Sequence, residues 1–217
     1  MRFKRTMAAI LAAAMVMSSA VSVFAADSSN PTAPTTTEDT NDPNKKDHEG
    51  NLVTSEVKNG KATVIDCTSD GTKDGDVVEF RIARDPETGK EVDVYYIGDG
   101  KKGVFDNKKN GSKVKTVNIN SKAKKVIVRK YAFKKSKVKT IKVATNKLQI
   151  SKNAFKGTKN KKIVLRFVKK KAKNLSLKKG AFNGIKKITV KGLKKKEFNK
   201  VKKALKKAGF KGTIKKG

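Results

Sequence analysis

From Lys113 onward, apolar pairs split by one polar residue return at nearly even intervals. Val117-x-Ile119, Ile141-x-Val143, Leu165-x-Phe167 and Ile188-x-Val190 recur 24, 24 and 23 residues apart. Alternation of period two marks a strand with one buried face. A second short pair follows in three units: Val126-x-Val128, Leu148-x-Ile150 and Leu175-x-Leu177. Each unit then reaches an Ala-Phe step, at Ala132-Phe133, Ala154-Phe155 and Ala181-Phe182. The Phe always lies five residues past the last apolar position of the second pair.

A period in the twenties predicts a stack of units, none of which can bury its apolar face alone. On this reading the chain is mainly β and forms a solenoid. First strands add to a parallel sheet, second strands return along the far side, and Phe133, Phe155 and Phe182 fill the interior. Ala is small enough to let the backbone turn beside each ring. A β-sandwich also yields short alternating strands, but it does not require the fixed Phe offset.

Elements outside the repeats follow from the same patterns. In residues 51–112, a small acidic β region, Val78, Phe80 and Ile82 alternate with polar residues, as do Val92, Val94 and Tyr96. "DPETG" between them predicts a β-hairpin. "SDGTKDGD" (Ser69 to Asp76) reads as a tight turn; its Asp70, Asp74 and Asp76 also invite calcium, but lack the spacing of a helix-flanked calcium loop. The repeats occupy 113–193. In 194–217, Phe198, Val201, Leu205 and Ala208 fall at helical spacing before Gly209, predicting an amphipathic capping helix over Lys194 to Ala208. Phe210 and Ile214 then add a final strand. The alternative for this basic helix is an anionic membrane surface, against which its narrow apolar face and lack of Trp argue.

The N-terminus adds a compartment. Arg2, Lys4 and Arg5 precede an apolar core at Met7 to Val16, and Val23 and Ala25 fit a small-residue cleavage rule. Residues 1–25 are therefore read as a signal peptide, the alternative being an uncleaved anchor helix. Residues 26–50 hold Ser, Thr, Asn, Asp and Pro with almost nothing apolar, the composition of a disordered leader. His48, the single histidine, falls there as a solvated residue. No membrane span is expected after signal removal, and the mature chain is expected to be secreted, extracellular or held at the cell surface. Cys67 is the single cysteine, so no intrachain disulfide is available. It is read as a half-buried strand residue rather than a nucleophile.

Charge is sorted along the chain. Asp27 to Asp106 carries ten basic and eighteen acidic residues, a balance of −8; Asn107 to Gly217 carries forty-one basic and one acidic, a balance of +40. Such asymmetry points to a polyanionic partner, the plain alternative being lysine used only as a solubiliser. Lys139 and Lys142 on a first strand, Lys169, Lys170 and Lys171 in "FVKKKAKN", and Lys194, Lys195 and Lys196 in "KGLKKKEF" are the candidate polyanion-binding residues.

The unit "VKTIKVATNKLQISKNAFKGT" resembles the bacterial surface leucine-rich repeats of the BspA-like type. Val138, Ile141, Val143, Leu148, Ile150, Ala154, Phe155 and Gly157 match that pattern in order, as do Ala181, Phe182 and Gly184 in the next unit. "KKALKKAGF" is similar to a closing helix of such chains. The likeness covers 113–217; Ser136, Thr158 and Ile185 stand where that family often has Cys. It implies a leucine-rich-repeat solenoid and an adhesion or ligand-binding role.

The expected function is a non-catalytic binding module. Its partner would be an anionic wall polymer, an acidic glycan or an acidic protein. No cofactor, metal or catalytic residue is expected: there is no Gly-rich phosphate loop, no histidine beyond His48 and no Cys/His pair. A structural spacer, or the remnant of a larger surface protein, is a second reading. Nucleic-acid binding is a third. It would be non-specific, since Arg129 and Arg166 are the only arginines after Asn107.

Overall fold

A computed structural model describes residues 51–69, 77–106, 113–169 and 174–217. The expected signal peptide, the leader with His48, residues 70–76 with their calcium alternative, and Lys170 and Lys171 lie outside the described residues. The chain runs through β1 (Asn51–Lys58), β2 (Lys61–Ser69), β3 (Val77–Phe80), β4 (Ile82–Arg84) and β5 (Glu91–Ile97). It continues through β6 (Thr116–Ile119), β7 (Val126–Val128), β8 (Thr140–Val143), β9 (Leu148–Ile150), β10 (Lys162–Phe167), β11 (Leu175–Leu177) and β12 (Lys187–Lys191). The chain ends in α1 (Lys195–Lys207) and β13 (Thr213–Lys216).

These strands build two sheets. One is seven-stranded, in the order β1-β2-β5-β7-β9-β11 with β4 beside β5; the other is six-stranded, in the order β13-β12-β10-β8-β6-β3. The six-stranded sheet is parallel throughout. The seven-stranded sheet is mixed, because β1–β2 and β4–β5 pair antiparallel. The inward residues of both sheets join one hydrophobic core.

The leucine-rich-repeat solenoid expected from the sequence is therefore corrected. Among the described residues the fold is mainly β, with two mostly parallel sheets, no closed barrel and one short C-terminal helix. The second apolar pairs overturn the expectation. They pair side by side as strands and merge with the antiparallel strands from 51–97 into a mixed sheet. Register also shifts the fourth unit: Leu165 lies opposite Val190 rather than Ile188, so that step is 25 residues.

The hairpin is split. β4 and β5 do pair around Asp85–Lys90, where the Asp85 carboxylate accepts the Glu87 and Thr88 N–H groups at 2.9 and 3.2 Å. Val78 and Phe80, however, sit on β3 and pair with β6 in the other sheet. The chain passes from one sheet to the other at Arg81, the exposed residue between β3 and β4. Cys67, expected half-buried, is fully buried on β2.

The Ala-Phe steps form a third, turn-built side. Phe133, Phe155 and Phe182 are buried in one stack, with centroids 4.6 and 5.0 Å apart and planes 2° and 12° from parallel. Phe105 extends the stack at 5.5 Å, and Phe80 follows at 6.3 Å. Phe210 closes the other end edge-on at 6.2 Å. The turns need two left-handed residues each: Asn153 and Gly157 around Phe155, Gly180 and Gly184 around Phe182, Tyr131 and Lys135 around Phe133. This explains the glycine two residues past the ring, since only Gly enters that region without strain. Ser136 and Thr158 are buried beside the stack, where the Thr158 hydroxyl donates to the Ser136 carbonyl at 3.2 Å.

The helix places the last ring. Phe198, Val201 and Leu205 are its buried face. At its end, Gly209 adopts φ +78°, its N–H reaches the Lys206 carbonyl at 2.9 Å, and the Phe210 N–H reaches that of Leu205 at 3.0 Å. This paired closure is a Schellman motif, and it turns Phe210 onto Phe182. Phe155→Ala is expected to cost about 3–5 kcal/mol in denaturant unfolding, as for other buried aromatic truncations. Phe210→Ala, at the half-buried end of the column, should cost clearly less. Equal losses would mean that the middle of the stack carries no special weight.

Candidate polyanion-binding face

Parallel pairing sets the outward side chains of the six-stranded sheet in rows. One row reads Glu79, Asn118, Lys142, Arg166, Lys191. Its neighbour reads Val77, Thr116, Thr140, Val164, Thr189, Lys215. The first row therefore passes from acid to cation along the sheet. Glu79 is held in place by the Asn118 and Asn120 side-chain amides, which donate to its Oε1 at 2.9 and 2.8 Å. Beyond it the cations of three adjacent strands follow without an acidic side chain in the row. Glu197, the one acid after Asp106, lies on α1 and pairs with Lys200 at 2.6 Å.

A second cluster borders these rows. Lys162 lies opposite Lys187 in register. With Lys139 and Lys161 they surround an open depression of about 490 Å³, also lined by Ile163, Val164, Asn160 and Thr189. The Asn160 amide donates to the carbonyls of Lys137 and Val138, which fixes that wall. The Lys161 ammonium donates to the Thr158 carbonyl at 3.3 Å; with the other three lysines it borders an aliphatic surface that can hold a ligand with an apolar face and an anionic rim.

The outer row of the seven-stranded sheet is different. It reads Thr63, Tyr96, Ile127, Gln149, Ser176 and contains no ionised group. Arg129 lies over the Tyr96 ring, its guanidinium carbon 3.7 Å from the centroid. Of these three paired rows, the one through Lys142, Arg166 and Lys191 therefore holds the run of cations, and its neighbour on the same sheet carries Lys215 alone.

The residues expected from the sequence are only partly brought together. Lys142 is in the cationic row, and Lys139 lines the depression. Lys169 is elsewhere, on the loop after β10, and donates to Asn146 Oδ1 at 2.8 Å. Lys194, Lys195 and Lys196 are exposed at the start of α1, where Lys194 is the N-cap and makes no side-chain cap bond. Cations there oppose the helix dipole; Glu197 in the same turn offsets them. Sequence reasoning misses Arg166, Lys191, Lys162 and Lys187. Their signal is present, since Lys162, Arg166 and Lys191 flank or separate inward residues of their strands, but only strand register aligns them.

No family model matches this chain, nor does any curated protein or solved structure. The likeness to BspA-like repeats thus rests on the residues that carry it. Among the described residues, no helix is long and apolar enough to cross a membrane.

Like charges this dense repel one another in the folded state, and salt screens that repulsion. Raising sodium chloride from about 0.01 M to 0.15 M, which shortens the screening length from about 30 Å to about 8 Å, is expected to raise Tm. A flat or falling Tm would show that the cations are already balanced within the fold.

Proposed function

We propose that this chain is a non-catalytic binding module that holds a polyanion outside the cell, through the cationic face of its six-stranded sheet. The partner class is an anionic wall polymer, an acidic glycan or an acidic protein. The observation that carries this reading is the alignment of Lys142, Arg166 and Lys191 in one outer row, beside the depression bordered by four lysines. Lysine used only as a solubiliser, or on a passive spacer, does not require that alignment.

The aliphatic depression among Lys139, Lys161, Lys162 and Lys187 favours an acidic glycan within this class. A sugar ring offers an apolar face and carboxylates at its edge. A nucleic acid is less well served. Arg129 is stacked on Tyr96, which leaves Arg166 as the one arginine of the face, and lysine contacts to phosphate carry no sequence information.

The acidic region within 51–106 is built into the same fold as the basic part. Strands β3 and β5 pair directly with β6 and β7, and Phe80 and Phe105 belong to the ring stack. Removing residues 51–106 is therefore expected to unfold the module.

The test is retention on purified anionic wall polymer and on a neutral polysaccharide at low and physiological salt. Retention on the anionic polymer is expected to persist at about 0.15 M salt and to weaken as salt rises, with none on the neutral one. Loss of all retention at that salt, or equal retention on both matrices, would contradict the reading.

A further inference from the structure

The turn side carries a second basic feature, independent of the sheet rows. The residue three before each stacked ring is Lys102, Lys130, Lys152, Lys179 or Lys207, for Phe105, Phe133, Phe155, Phe182 and Phe210 in turn. All five are exposed. The residue four before each ring is Lys101, Arg129, Ser151, Lys178 or Lys206. Nine of these ten positions are cationic. After Asp106, where cations fill 41 of the 111 positions, seven of the eight are cationic, against about three of eight expected from composition alone.

The backbone holds these positions in line. The Val104 N–H donates to the Ala132 carbonyl at 3.0 Å, Tyr131 to Asn153 at 3.1 Å, Asn153 to Gly180 at 3.0 Å and Gly180 to Ala208 at 2.9 Å. Neighbouring rings lie 4.6 to 6.2 Å apart along the same direction. The five lysines therefore follow one another at about the spacing of adjacent strands, roughly 4.8 Å. Among the described residues none of the five forms an ion pair. The Asp99 carboxylate accepts the Lys101 and Lys102 backbone N–H groups at 2.8 and 3.0 Å, Asp106 pairs with Lys135 at 2.5 Å, and the Lys130 ammonium lies 4.6 Å from the Tyr131 ring centroid.

We infer that this lysine row is a track for one extended, unbranched acidic polysaccharide with a carboxylate on each sugar. The inference rests on the reading that the chain holds polyanions; it adds a second surface, on the turn side, to the sheet face and names the polymer that this surface takes. An extended pyranose chain places successive carboxylates about one sugar apart, close to the interval between successive row lysines. Duplex DNA advances about 3.4 Å per phosphate along its axis, but each strand winds around that axis, so its phosphates leave a straight row.

Two variants of the full chain separate the row from bulk charge. Lys130→Gln/Lys152→Gln/Lys179→Gln removes three cations from the row; Lys142→Gln/Arg166→Gln/Lys191→Gln removes three from the sheet face. Binding to polygalacturonate and to duplex DNA is measured at about 0.15 M salt. The row variant is expected to lose at least ten-fold more affinity for polygalacturonate than the face variant, while DNA binding falls alike in both. The charge-keeping Lys130→Arg/Lys152→Arg/Lys179→Arg variant is expected to retain polygalacturonate binding. Thermal unfolding at or above the wild-type temperature would confirm that the variants are folded, because each removes exposed like charge or preserves it. Equal losses in the two triple variants would overturn the row while leaving the general polyanion reading in place. So would a wild-type chain that prefers DNA or ignores polygalacturonate, provided that it still holds wall polymer.

Discussion

Two repeat distances must agree for this molecule to exist. Parallel strands lie about 4.8 Å apart in the hydrogen-bonding direction. Aromatic rings stack with centroids from about 4.5 Å upward. At Phe133, Phe155 and Phe182 the centroids are 4.6 and 5.0 Å apart, so one ring fits each step of the sheets without tilting. An aliphatic side chain could fill the same volume, but it would not set the interval. Where the match ends, the rings turn: Phe80 comes from a strand and Phe210 from a helix end, and both lie more than 6 Å from their neighbours at larger angles.

The surface inherits this interval. Once strands and rings advance together, every outward position in one unit has a counterpart in the next, and a residue choice made in several units becomes a line. On the six-stranded sheet that line changes from Glu79 through Asn118 to Lys142, Arg166 and Lys191. On the seven-stranded sheet it stays uncharged. On the turn side it is lysine from end to end. The core thus fixes where charge can be repeated, and the residues chosen then differ from side to side. Left-handed turn residues keep the lines straight by closing each unit in the same way, with Tyr131 and Lys135 accepting strain that Gly avoids at Gly180, Gly157 and Gly184.

Much of this is legible in the residue pattern alone. The alternation in β6, β8 and β10, the fixed Phe offset, the helix and the final strand all follow from it. Three features do not. Leu165 and Ile188 look like equivalent first positions, and only hydrogen bonding shows that Val190 is the partner of Leu165. Phe105 follows Val104 rather than Ala and has no glycine two residues on, so its membership of the stack is invisible to a search for Ala-Phe-x-Gly. Phe80 reads as a hairpin residue because alternation runs unbroken from Val78 to Ile82, although the chain changes sheets at Arg81. The solenoid expectation fails for a related reason: periodicity shows that units repeat, but not how the second strands pair. For the site, strand alternation finds Lys142, whereas Lys139 precedes β8 and shares the parity of its inward residues. The basic runs at Lys169 and Lys194–Lys196 stand out only by density, and they lie away from the rows.

The central claim is that rings from successive units touch in one file through the core. It is tested most directly by nuclear Overhauser contacts between ring protons in a chain with labelled phenylalanine, assigned by single Phe→Leu replacements. A single file of rings requires contacts from Phe133 to Phe155 and from Phe155 to Phe182, with none from Phe133 to Phe182. Absence of the first two, or rings that exchange freely with solvent probes, would contradict it.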